Sequence, residues 1–471
     1  MNPKSKIPLQ RKRILSLLVG PLAFILIKGI LSSHLETVQV DVVAVAGWMI
    51  IWWFTEVVHL GVTALLPLLL WPLLGVQDIG PTASHYAHPL VYLFFGGFVL
   101  AIALQRWNVH KRIALFILWK AGSKPSQILF GFMLSTYLLS MWISNTATTV
   151  MMLPIALSIL EVLPKKYGKK MSLSLLLGIA WSANVGGMAT LVGTPPNLVF
   201  AGFVSDQMGM EMSFSEWFVY GGPVSVVLFL GCYLILSRML RGLSAEARIE
   251  NSIIQNQYKA LGPLQTNEKR VLILFVLTAL LWIFRSALVR WTGMSGVTDT
   301  TIAIAAALAL FLIPRSGGQK GLLEWSETKE LPWGILLLFG GGLALASGFK
   351  SSGLLELMSS LPVSQISFIV LLIGVVFVGI FLTEFVSNLA LVTTVLPILF
   401  ALATSADISF FELAIPFTLS ASCAFMFPMA TPPNAIIFSS GKISIRSMAV
   451  AGFGANLLAW GVLVAFAYWI L

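Results

Sequence analysis

The sequence predicts an all-α polytopic membrane protein with an inverted-topology repeat, two re-entrant helical hairpins, broken transmembrane helices and about eleven transmembrane segments. Three observations carry this expectation. Of 471 residues, 58% are hydrophobic and 10% charged, whereas an ordinary soluble domain is about 25% charged. Apolar stretches of about 20 residues, enough to cross roughly 30 Å of hydrocarbon, recur from Ile14 to the last residue and leave no room for a sizeable soluble domain. One polar, helix-breaking motif also occurs twice.

The net charge of +10 does not indicate nucleic acid, because Lys and Arg fall in short clusters between apolar spans, the pattern that sets membrane topology. Cys232 and Cys423 both sit in apolar surroundings and read as packing residues, not as a disulfide or a metal pair. The N-terminus carries Lys4, Lys6, Arg11, Lys12 and Arg13 before a long apolar run without a small-residue cleavage site, so that run is expected to stay as a first helix.

Further cations cluster at 106–124, 165–170, 238–270 and 315–329, with Lys442 and Arg446 beyond. Placing these stretches and the N-terminus in the cytoplasm gives helices near 14–33, 41–58 and 62–75, then an outer segment 76–90 that contains Asp78, His85 and His88 but no Lys or Arg. A span near 91–105 returns to the basic side. Residues 172–202 lead out to an acidic loop (Asp206, Glu211, Glu216), and 217–237 lead back. Helices near 271–290 and 300–314 follow, then 331–349 outward, 411–440 inward and 447–471 outward, which puts the C-terminus outside. Residues 124–163 begin and end beside basic clusters, while 363–407 begin and end beside stretches almost without cations. Each therefore reads as a hairpin that returns to its own side, one from each face.

The midpoints of these hairpins are the repeat. Ser140, Ser144, Asn145, Ala147, Leu153, Pro154 and Ile155 recur 243 residues later as Thr383, Ser387, Asn388, Ala390, Leu396, Pro397 and Ile398. Gly193-Thr194-Pro195-Pro196-Asn197 recurs as Ala430-Thr431-Pro432-Pro433-Asn434, and Phe95-Gly96-Gly97 as Phe339-Gly340-Gly341. The expected organisation is scaffold helices over 1–90, a first repeat over 91–237, a cytoplasmic connecting stretch over 238–270, scaffold helices of the second half over 271–330 and second-repeat transport elements over 331–471. Inverted repeats place a site near the midplane and permit alternating access.

The polar residues at the breaks suit small anions and sodium. A helix that starts at Asn145 or Asn388 offers free backbone N–H groups and its positive end to a carboxylate, and the asparagine amides and the Thr146 hydroxyl add neutral donors. Sodium needs hard oxygen ligands, which interrupted helices supply as free carbonyls and polar side chains. Each half proposes one ion site: Ser140, Ser144, Asn145 and Gly193 in the first, and Thr383, Ser387, Asn388 and Ala430 in the second. Thr194 and Thr431 stand just before Pro-Pro, where helices must break. Glu384 is an ionisable residue at membrane depth and so a functional candidate, although Met141 at its repeat position is no acid. His59, His85, His88 and His110 and most of the 15 tryptophans are expected at span ends and interfaces.

At these residues the chain resembles the divalent anion/sodium symporter (DASS) family, whose bacterial INDY-type members and animal relatives carry di- and tricarboxylates. Both Ser-Asn tips and both Thr-Pro-Pro-Asn breaks match, and Trp52-Trp53-Phe54-Thr55-Glu56 followed by Val62-Thr63-Ala64-Leu65-Leu66-Pro67 is similar to the family's early signature. The resemblance implies a homodimer in the bacterial inner membrane with elevator-type exchange and two sodium sites beside one substrate site. By the same resemblance Asn145, Thr146, Thr194, Asn388 and Thr431 contact substrate, and Leu389 shares their pocket. The chain departs from the pattern at His59 and Gly61, where prolines are usual, and at Leu389, where many dicarboxylate members have Thr.

The expected activity is sodium-coupled symport of C4-dicarboxylates such as succinate, malate or fumarate; the alternatives are sodium-independent carboxylate exchange and a preference for citrate or another tricarboxylate. An enzyme is not expected: there is no paired acid motif, no His-Glu-x-x-His, no Gly-rich phosphate loop and no cysteine ligand set. Leu389 removes a hydroxyl donor, worth about 1–2 kcal/mol to a ligand built for it. Leu389→Thr should therefore shift the preference between di- and tricarboxylates in competition uptake, and an unchanged preference would exclude this position as a selectivity determinant.

Overall fold

The computed structural model describes residues 9–162, 165–241, 252–318, 320–359 and 366–471. Lys4 and Lys6, residues 242–251 of the connecting stretch and residues 363–365 of the second hairpin lie outside them. The described chain is α-helical without a β-strand, as the composition requires, because helices satisfy every backbone group within one segment. Nine helices among the described residues are long and apolar enough to cross a bilayer, and shorter apolar helices accompany them.

The expected breaks fall at the Pro-Pro motifs. The stretch read as one span over 172–202 is a helix Lys165–Ala189, a non-helical turn and a helix Pro195–Met208. The stretch 411–440 is a helix Phe410–Ser420, a longer non-helical run and a short helix Pro432–Ser439. The span expected at 62–75 is likewise divided, into Leu60–Thr63 and Leu66–Leu74. The outer segment 76–90 contains a short helix, Ile79–Tyr86, whose Gly80 and Pro81 fall in the first turn, where a missing N–H costs nothing.

The hairpins have arms Pro125–Ser140 and Asn145–Val162, and Phe368–Leu382 and Asn388–Ala406. Their tips turn alike. The amides of Trp142 and Ile143 donate to the Leu139 carbonyl at 3.0 and 2.9 Å, and those of Phe385 and Val386 donate to Leu382 at 3.0 and 3.2 Å. Packing between halves is reciprocal. The second half's Pro432–Ser439 helix lies on Asn145–Val162 and Lys165–Ala189, while the first half's Pro195–Met208 helix lies on Asn388–Ala406 and Phe410–Ser420. The long helices Phe214–Met239 and Ile445–Ile470 meet each other.

The repeated Phe-Gly-Gly blocks are crossing points. A Cβ on Gly96 would stand 2.6 Å from the Ala303 carbonyl oxygen, and one on Gly341 would stand 2.4 Å from that of Ala64. These contacts seat the helices Pro89–Arg106 and Trp333–Ser351 on Asp299–Leu312 and Leu60–Thr63, respectively.

Charged residues pair between separate stretches of the chain. Arg106 pairs with Glu327 at 2.7 Å and Arg112 with Glu268 at 3.0 Å, so three of the basic stretches meet. Elsewhere the 76–90 segment and the acidic loop meet through His85 and His88, which lie 3.2 and 3.5 Å from the Asp206 carboxylate. These histidines, expected as scattered interfacial residues, converge on one acid. The first helix, Leu9–Leu31, is held to Thr37–Thr55 by Lys28, whose Nζ lies 2.6 Å from the buried Asp41 carboxylate. Lys28→Met leaves that carboxylate buried and unpaired and should cost about 1–3 kcal/mol, read as a lower midpoint of thermal unfolding in detergent; an unchanged midpoint would show the pair to be incidental.

Candidate functional site

Each hairpin tip ends one helix and begins another. The arriving helix brings its C-terminal carbonyls and the departing helix its N-terminal amides, so each tip presents partial negative and positive charge within a few residues. The Pro-Pro breaks also set a helix end against a helix start, but their first two positions are prolines without an N–H, so they contribute the helix dipole and the preceding threonine hydroxyl and not free amides. The departing helices start at Asn145, Pro195, Asn388 and Pro432, and all four of these residues line one cavity of about 630 Å³. Ser144, Thr146, Gly193, Thr194, Ser387, Leu389, Ala430 and Thr431 line it as well. Residues from both copies of the Ser-Asn and Thr-Pro-Pro blocks thus meet at one place, while the Phe-Gly-Gly blocks lie outside its lining. The opposite wall is Phe54, Thr55, Glu56, Leu60, Phe98 and Ile335. No Lys, Arg or His is among the lining residues, and Glu56 is the one ionisable side chain there.

Ser140 and Thr383 stand directly behind the tips, fully buried. Ser140 Oγ lies 2.6 Å from Asn145 Oδ1 and 2.7 Å from the Ala183 carbonyl oxygen. Thr383 Oγ1 lies 2.8 Å from both Asn388 Oδ1 and the Ala421 carbonyl oxygen. The two triads match residue for residue. A hydroxyl has one proton and cannot serve two acceptors, so each triad gathers more oxygen lone pairs than protons, a donor set that suits a hard cation. The Ala183 and Ala421 carbonyls were not foreseen, because nothing in the sequence marks which backbone carbonyl faces a tip.

With Oδ1 turned towards the triads, the Nδ2 groups of Asn145 and Asn388 are left as donors at the cavity. Thr431 adds another. Its Oγ1 accepts from the Asn434 amide at 3.4 Å and from Asn184 Nδ2 at 3.2 Å, so its own proton is free to donate. The Leu389 side chain is buried and brings only apolar surface to the lining. Ser144 Oγ accepts from the Ala147 amide at 3.2 Å, capping the helix that starts beside it.

Two further sets of residues hold the breaks open. Asn197 Nδ2 donates to the Thr190 carbonyl at 2.8 Å and to that of Gly187 at 3.2 Å, and Asn434 Nδ2 donates to Ala424 and Phe427, each at 3.0 Å. The last residue of each Thr-Pro-Pro-Asn motif therefore adds a donor to carbonyls at the interruption, three of which, Thr190, Ala424 and Phe427, also accept a second hydrogen bond. Glu384 is fully buried and does not line the cavity. Its Oε1 accepts from the amides of Phe425 and Met426 at 2.8 and 2.9 Å and from Asn456 Nδ2 at 2.8 Å, and its Oε2 accepts from the Phe427 amide at 3.0 Å. The same run is gripped from the other half, because Asn184 Nδ2 and Trp181 Nε1 donate to the carbonyls of Ala424 and Phe425, each at 3.2 Å. The repetition of Asn197 and Asn434 could have marked their role; Asn184, Trp181 and Asn456 carry no comparable signal.

Residues 12–471 match the family described as "Sodium:sulfate symporter transmembrane region". The chain is 38% identical over 477 residues to the sodium-dependent dicarboxylate transporter SdcS of Staphylococcus saprophyticus, covering 97% of this chain and 91% of that protein. It is likewise 38% identical over 490 residues to the sodium-dependent dicarboxylate transporter SdcS of Staphylococcus aureus, covering 99% of this chain and 93% of the relative.

Asn434→Ala removes one of two donors from each of the Ala424 and Phe427 carbonyls, which keep Asn184 and the Ala430 amide, and should destabilise the protein by about 1 kcal/mol. Thermal unfolding in detergent measures this, and a wild-type midpoint would remove the clamping role.

Proposed function

The chain belongs to the sodium:sulfate symporter family, and from that premise we propose that it is a secondary transporter coupling sodium to the uptake of C4-dicarboxylates. The observation that carries this reading is a cavity where four helices begin and no cationic side chain intervenes, backed by two matched oxygen triads. Each helix N-terminus is equivalent to roughly half a positive charge, so four suit a dianion. Asn145 and Asn388 Nδ2, with the hydroxyls of Thr146, Thr194 and Thr431, supply donors to its carboxylates.

Coupling follows from the two ends of each asparagine. A sodium ion held by Ser140, Asn145 and the Ala183 carbonyl, with Ser144 and Gly193 beside it, requires Oδ1 to face the ion. That orientation turns Nδ2 into the cavity as an anion donor. Without the ion, a flipped amide satisfies the triad by donating to it and presents oxygen to the dianion instead. Asn388 does the same with Thr383 and the Ala421 carbonyl, beside Ser387 and Ala430. Sodium thus creates the donor that the carboxylate needs, and the carboxylate offsets the ion's charge.

The reading also places the basic stretches and the N-terminus in the cytoplasm of a bacterium, with the C-terminus outside. Its support is that cations of separate basic stretches meet acids of other basic stretches, while the 76–90 segment meets the acidic loop, to which Arg285 and Lys350 also bond. Contacts of the first hairpin's arms with the cytoplasm-directed part of the chain, Gln257 to Ser158 and Tyr233 to Ser126, agree with its entry from that side. Elevator exchange would carry the hairpins and broken helices as one body past the wall at Phe54, Leu60, Phe98 and Ile335, in each protomer of a homodimer.

In proteoliposomes, labelled succinate should accumulate on an inward sodium gradient and not in choline. Asn145→Ala and Asn388→Ala should each reduce that uptake by at least about tenfold, the loss of one hydrogen bond to a charged ligand, with membrane abundance intact. Near-normal uptake in both variants would remove the site assignment. Undiminished uptake in choline that requires internal dicarboxylate would replace symport by exchange.

A further inference from the structure

The two halves are unequal at one position. Met141 and Glu384 occupy equivalent places in the tips, and the carboxylate brings into the second half a buried charge that the first half lacks. All four of its partners are N–H donors, and the carboxylate form uses every one of them as an acceptor, whereas an acid O–H would need an acceptor that this set does not contain. No Lys, Arg or His pairs with it among the described residues. A buried charge that is hydrogen-bonded but has no counter-ion is costly at membrane depth, and the oxygen triad of Thr383 begins at the adjacent residue.

We propose that Glu384 is the positioning residue of the second-half sodium site: it holds the interrupted run 425–427 by its backbone amides and gives the ion bound at Thr383, Asn388 and the Ala421 carbonyl a buried opposite charge, so that this site fills at lower sodium than its first-half counterpart. This rests on the sodium assignment above. The first half has a hydroxyl where the second has a charge: Thr190 Oγ1 donates to the Met141 carbonyl at 2.5 Å. That bond steadies the tip but adds no field. Ligands of the same kind in matched geometry then differ in affinity mainly through the acid, because an opposite charge close by in a poorly screened interior strengthens cation binding steeply. Glu384 also explains how the second break can be the longer of the two. Its carboxylate takes three consecutive amides that no helix pairs.

The test is sodium-dependent protection of the full-length protein, purified in detergent, against thermal unfolding, with choline as the control and labelled-succinate uptake in parallel. In the wild type, sodium should raise the midpoint of unfolding where choline does not. Glu384→Gln should shift the half-saturating sodium concentration upward by about tenfold or more, whereas Ser140→Ala, which alters the first triad, should move the low-concentration part of the curve by less than about threefold. No sodium-specific protection of the wild type would remove the sodium assignment and this inference with it. Protection in the wild type with an unshifted Glu384→Gln curve would overturn the role of Glu384 alone, and an equal shift in Ser140→Ala would overturn the inequality of the sites. Should Glu384→Gln not fold, Glu384→Asp decides. It keeps the charge one methylene shorter, so a midpoint within about threefold of wild type supports the inference and a tenfold loss overturns it.

Discussion

A helix interrupted inside hydrocarbon leaves amides and carbonyls that no water can satisfy, and each unpaired group costs a few kcal/mol. Four such interruptions meet around one cavity, so nearly every polar residue in this region answers to that constraint. Asn197 and Asn434 pair carbonyls, Glu384 pairs amides, and Ser140 and Thr383 each bring a hydroxyl to an alanine carbonyl. What the protein leaves unpaired is correspondingly specific: excess oxygens behind the tips and excess donors in front of them. The chemistry of the cavity is the remainder after the backbone has been satisfied, and that remainder fits a cation and an anion side by side.

On the proposed reading, the same logic explains how a site for a dianion can do without arginine. A fixed cation would bind carboxylates whether or not sodium were present. Helix ends and rotatable amides bind them only when something orients the amide, and here the orienting atom lies on the far side of the same side chain. Neutral donors therefore give coupling where a stronger charge would give only affinity.

Much of this was legible in the sequence because membrane proteins have few ways to place polar residues. Asn145, Asn388 and the two Thr-Pro-Pro-Asn blocks stand out against an apolar background, and their similar spacing marks them as one constellation; the structure brings both asparagines and both Thr-Pro-Pro segments to a single cavity. Three things were hidden. The helix Ile79–Tyr86 within the outer segment carries no mark, because Gly80 and Pro81 fit a first turn and a coil alike. The triad carbonyls of Ala183 and Ala421 belong to the backbone, which the residue name does not report. Glu384 was visible as an anomaly, but its partners lie 41–43 and 72 residues away, and only the fold brings them together.

The peptide run from Ala424 to Phe427 is held on its carbonyl side by Asn184 and Trp181 of the first half and on its amide side by Glu384 of the second. Neither half is therefore a carrier in miniature. Cut at the connecting stretch, the second fragment would lose the side chains that fix its own break, while the first would have asparagine and tryptophan donors with nothing to hold. The molecule is stitched across its midline, and the repeat that looks like two modules in the sequence is, as a working machine, indivisible.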